Sequence, residues 1–204
     1  MMSRYLLAAT MLLSASTSAV LAADPRYPDW PCPQAKVPEI SIAAVWSGPA
    51  IDDVGASWKD DAKISTLVAK FAARRIPLEE AQKDVADFLT GTPEEKARKG
   101  KLLFAGLFDT LNAQRTSVMN GLERVMRKQR EAVDKVRGDT IALQELQSGA
   151  TPDQAKVEEL TNQVNWETRI FEDRRRVMKF VCEVPTAIDQ RLFALAREIQ
   201  QDME

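Results

Sequence analysis

Proline is placed so unevenly in this chain that its distribution decides most of what the chain can become. Six of the ten prolines fall before residue 50, whereas between Glu94 and the C-terminus only Pro152 and Pro185 remain. Proline has no amide proton and its ring clashes with the preceding helical turn, so helix is blocked early and free to run late. The late region uses that freedom. Phe104, Phe108, Leu111, Val118, Leu122 and Val125 recur mostly at spacings of three and four, as do Val157, Leu160, Val164, Phe171, Met178 and Cys182. That spacing is the stripe of a helix burying one face.

Between the two patterns lies Ser148-Gly149-Ala150-Thr151. Gly149 suits the left-handed position after a helix, and Thr151-Pro152-Asp153-Gln154 offers an N-cap, a first-turn proline and a capping-box partner. A turn this short makes the flanking helices antiparallel neighbours. Residues whose numbers add to about 300 should then face each other, which sets Leu122 against Met178 and Val136 against Val164. Gln129, Arg115, Glu167 and one of Arg174 or Arg175 interrupt the apolar seam, and polar residues there fix register or snorkel outward. Gly138 is a candidate kink in the first arm.

The expected fold is therefore all-α: a long antiparallel, coiled-coil-like helical hairpin with arms over residues 93–148 and 152–203. Two shorter helices, over 60–75 and 77–90, follow from Ile64, Leu67, Val68 and Phe71 and from Leu78, Ala81, Val85 and Leu89. Trp58, Gly100 and Gly106 would let them approach the base of the hairpin closely. Thr92-Pro93-Glu94-Glu95 supplies the start of the long arm. Residues 58–204 form the helical domain.

Residues 24–57 hold the early prolines together with Tyr27, Trp30, Ile40, Ile42, Val45 and Trp46. They read as an extended strap lying over the base of the hairpin, with a Trp-lined ligand site as the alternative. Residues 1–23 read as a signal peptide: Arg4, an apolar run from Tyr5 to Leu13, and small residues before a cleavage point at Ala22 or Ala23. The expected location is the periplasm. In an oxidising compartment the two cysteines, Cys32 and Cys182, are most simply one disulfide, fastening the strap to the second arm.

Composition narrows the chemistry. The chain of 204 residues is 45% hydrophobic and 28% charged with a net charge of −2, which exerts no global pull toward nucleic acid or anionic lipid. It contains no histidine. That excludes a Ser-His-Asp triad, a Cys-His dyad, histidine-ligated haem and most zinc or copper enzymes. No catalytic residue, metal site or cofactor is assigned.

The candidate partner-binding residues form a basic belt midway along the hairpin, Arg124, Arg127, Lys128 and Arg130 opposite Arg174, Arg175, Arg176 and Lys179, together with Trp166 off the main seam. The (i, i+4) pairs Glu123 with Arg127 and Glu172 with Arg176 give the same charges a purely structural use. The tip is acidic, with Asp139, Glu145, Asp153, Glu158 and Glu159 against Lys156, in no calcium-loop spacing. Met119, Met126 and Met178 are soft donors that more commonly fill cores. These features point to an exported, non-enzymatic adaptor, assembly factor or chaperone acting on a protein of the cell envelope, without nucleic acid or stable membrane insertion. A homo-oligomer is also compatible with this sequence. The alternative is a periplasmic small-molecule or metal binding protein.

Overall fold

In the computed structural model of the protein, residues 24–204 are described; the expected leader, residues 1–23, lies outside the described residues. Among them the architecture is all-α without strands. The helices are α1 (Ile42–Val45), α2 (Ala62–Ala72), α3 (Leu78–Phe88), α4 (Pro93–Ser148), α5 (Gln154–Val181) and α6 (Val184–Met203), with a 3-10 turn at Ser57–Lys59.

The first arm is one helix of 56 residues, running through Gly138 without a break. Its start follows the sequence grammar: the Thr92 side chain accepts from Glu95 N–H, and the Glu95 carboxylate accepts from Thr92 N–H. The hairpin turn departs from it. Gly149 adopts extended backbone (φ −64°, ψ 153°) rather than the left-handed region. The N-cap of α5 is Asp153, accepting from Lys156 N–H at 3.3 Å, so Thr151 and Pro152 precede the helix.

The second arm is two helices. Cys182 N–H still bonds to Met178 O, but Glu183 N–H reaches only to Phe180 O, and α6 begins with Pro185 in its first turn. Pro185 supplies no N–H for Val181 O and its ring crowds that carbonyl, which interrupts the ladder where Cys182 must turn toward the strap.

At the base, α6 packs on α4, α2 on α4, and α3 on α6. Phe71, Phe104, Leu107, Leu111, Leu192 and Leu195 are fully buried there. Gly106 is required by this packing, because a Cβ would stand 2.5 Å from Val68 and 2.9 Å from Trp58. Gly100 serves the close approach of α6 instead, facing Met203 and Ile199.

The strap runs down the hairpin in the opposite sense to α4. Asp29 meets Arg127 and Arg130, Cys32 bonds Cys182, Lys36 pairs with Glu123, and Arg115 donates to Pro38 O. At the base Trp46 stacks on Phe104 at 4.0 Å and Ser47 N–H donates to Gln200 Oε1 at 2.8 Å. It thus covers more than the base, reaching the level of Arg130. Trp30 and Trp46 belong to different apolar clusters, so the strap tryptophans line no common ligand site.

Candidate functional site

Beyond the base, α4 and α5 form a two-helix stem, and its register is the expected one. Gln129 Nε2 donates to Phe171 O at 3.2 Å, Lys135 Nζ lies 2.5 Å from Glu167, and Gln163 Nε2 donates to Asp139 at 2.9 Å. Lys135 also holds Asp139 at 2.8 Å; the hydrogen bond from Lys135 is the main reason that the Asp139 carboxyl titrates low, and the Lys135 ammonium in turn titrates high. Of the polar residues expected in the seam, Arg115 (3% exposed) and Gln129 (5%) are buried, Glu167 is half-buried, and Arg174 and Arg175 turn outward. Arg115 Nε lies 2.7 Å from Asp189, whose carboxyl is pushed up by burial and pulled back in part by that guanidinium.

The stem is thinly packed. Among the described residues α5 has none that is fully buried, and α4 has none beyond Gln129. Its outer surface carries large apolar side chains that a two-helix contact does not use: Trp166 is 64% exposed, Val177 58% and Phe180 67%. Single exposed apolar residues need no explanation, but Val177 adjoins further apolar side chains that line an open groove.

Between the arms, just below the level of Asp29, an apolar groove of roughly 540 Å³ runs along the seam. Val118, Leu122, Val125, Val177, Met178 and Val181 line it, with Arg124, Arg174 and Asp173 at its rim. At about 100° per residue, positions 118, 121 and 125 lie to one side of the seam residues Leu122 and Gln129, while the strap-contacting positions 123, 127 and 130 lie to the other. The strap therefore leaves the groove uncovered. On the far side of α5, Phe180 lines a second concavity with Arg175, Arg176 and Lys179.

The basic belt is partitioned by this geometry. Arg127 and Arg130 are engaged by Asp29, whose carboxyl is held below the usual carboxylate range chiefly by hydrogen bonds from those two guanidinium groups. Arg176 pairs with Asp173 at 2.6 Å. Arg124 and Arg174 converge on the groove rim, Arg175 joins the Phe180 concavity, and Lys128 is exposed. Trp166 stands farther out along α5, apart from the groove.

Sequence reasoning did not find the groove, because nothing in the apolar stripe tells which seam positions are left open once the strap has chosen its side. One signal was present. Gly121 sits in mid-helix, yet a Cβ there would meet nothing nearer than Arg124 at 3.9 Å, so the packing of this chain does not require it.

The Cys32–Cys182 disulfide is formed, with Cα atoms 5.4 Å apart, and no free cysteine remains. Among the described residues no group of three His, Cys, Asp or Glu side chains is placed to hold a metal ion, and no helix is long and apolar enough to cross a membrane. Comparison with protein-family models, curated proteins and solved structures finds no match.

Proposed function

We propose that this chain is an exported, non-enzymatic interaction protein of the cell envelope, an adaptor, assembly factor or chaperone, in which the base and strap hold a helical stem that binds a protein partner. The observation that carries the reading is the apolar surface of α5: Val177, Phe180 and Trp166 are largely exposed on a helix that contributes nothing fully buried to its own fold. A helix retained for stability alone would show the opposite distribution. The disulfide supports export to an oxidising compartment. The absence of histidine supports a binding role over catalysis.

The test is site-specific photo-crosslinking in intact cells, with the photoreactive residue placed in turn at Val125, Val177, Trp166 and Phe193. Phe193 is also exposed, but on α6 at the base. Partner adducts from stem positions with none from Phe193 are expected. Adducts from Phe193 alone would move the function to the base and overturn the reading.

A further inference from the structure

Five observations converge on the groove between α4 and α5. It is apolar and open-sided, its floor continues onto the exposed Val177, and the strap lies on the other side of the seam. Its rim is basic: Arg124 and Arg174 stand there with a single acid, Asp173, while Arg127 and Arg130 are engaged by Asp29 on the strap side and Arg175, Arg176 and Lys179 lie on the far side of α5. That one acid, Asp173, is engaged by Arg176 at 2.6 Å. Finally, Gly121 keeps the groove floor free of a side chain that the fold itself has room for. A glycine in a helix interior is destabilising by about 1 kcal/mol relative to alanine; no internal contact requires one at Gly121 or at Gly138, and of the two it is Gly121 that lines the groove.

We propose that this groove seats about two to three turns of an amphipathic helix from a protein partner, its apolar face flanked by Asp or Glu. The proposal rests on the reading of the stem as the interaction element and names the chemistry of what it binds. The lining spans residues 118–125 of α4 and 173–181 of α5, which at 1.5 Å per residue is about 12 Å, the length of roughly two helical turns. The partner's apolar face would cover Val125 and Val177, with its backbone brought close over Gly121. Its carboxylates would meet Arg124 and Arg174 at the rim, where bidentate pairing adds orientation. A second copy of this chain docked through the same face would set one basic belt against another. An acyl chain would leave much of its surface in water in a groove this open.

The probe is a fluorescent helical peptide of about 18 residues, with a leucine face flanked by glutamates, titrated into the disulfide-bonded protein. A sister peptide carries lysine at every glutamate. The glutamate peptide is expected to bind at least about tenfold more tightly than the lysine peptide and to weaken as salt is raised. Gly121→Leu should weaken it by at least about tenfold through occupation of the floor, while Gly138→Leu, farther along α4 and equally unhindered, should not. Circular dichroism of both variants should show the helix content of the parent. Equal affinity for the two peptides, or indifference to Gly121→Leu, overturns the proposal. So does self-association, or laurate binding without peptide binding, if either is abolished by Gly121→Leu. In the crosslinking experiment, adducts at Trp166 with none at Val125 or Val177 would refute the groove while leaving the stem reading intact. Adducts from the base alone would remove both.

Discussion

Arg191 shows how much one side chain can hold. It is 8% exposed, donating from Nε to Phe71 O at 2.5 Å and from Nη1 to Ile76 O at 2.9 Å. A positive charge thus closes the C-terminal end of α2, where carbonyls lack helical partners. Arg191→Met should destabilise the protein by about 3 kcal/mol, because two part-buried or buried carbonyls lose a charged donor, and Arg191→Lys should not restore it since one ammonium cannot span both. Urea denaturation measures this. Arg191 escaped the sequence reading because it lies on α6 among leucines and isoleucines, where an arginine reads as a snorkelling edge residue. Arg115 and Gln129 were legible because they interrupt an otherwise apolar seam. Asp29 gives a pH dependence whose sign is fixed by its depressed pKa. The stabilisation is present above the ordinary carboxylate range and is lost as pH falls through the lower folded value. The protection factors of residues 24–31, hydrogen-exchange rates taken relative to the unstructured chain at the same pH, should therefore fall a few-fold in acid before the base unfolds, and Asp29→Asn should produce that loss of protection at neutral pH.

Helices proved more legible than their ends, for a physical reason. Periodicity sums over dozens of residues, so the existence of α2, α3, α4 and the second arm follows from many weak contacts acting together. Ends are decided by one or two hydrogen bonds. Thr92 and Glu95 satisfy theirs as the sequence grammar implies, but Asp153 outcompetes Thr151 as a cap, and Gly149 leaves the helix extended. The break at Cys182 and Glu183 was visible as Pro185, yet its meaning required knowing that the disulfide lies at the same point. The strap is the element most dependent on that bond. Its N-terminal part is attached by polar contacts, by Trp30 and by Cys32, in a small cluster separate from the main core. Changing both cysteines to serine should lower stability by up to ~5 kcal/mol in the chain-entropy limit. The helical circular dichroism should persist, and proteolysis should now cut within residues 24–38 first.

At the scale of the molecule, burial is concentrated in one half. The main core draws on α2, α3, α6 and the first part of α4, and past Gln129 the stem buries nothing completely. Replacing residues 126–174 with a short glycine-containing turn should leave a cooperatively unfolding, disulfide-bonded base, read by thermal melting, since the removed segment holds Gln129 and no other fully buried residue. The site was only half legible for a related reason: the charges and Trp166 could be read along the chain, whereas the groove exists only because strap and seam divide the sides of α4 between them. The disulfide spans 150 residues and closes most of the chain into a covalent ring that includes the whole stem. A protease entering at the exposed turn of residues 149–151 would open that ring without releasing anything. The nicked protein should migrate as one species on a non-reducing gel and as two fragments after reduction. Damage at the far end would thus leave both stem helices bound to the base, and a partner contacting only α4 and α5 near Cys182 would still find its two surfaces side by side.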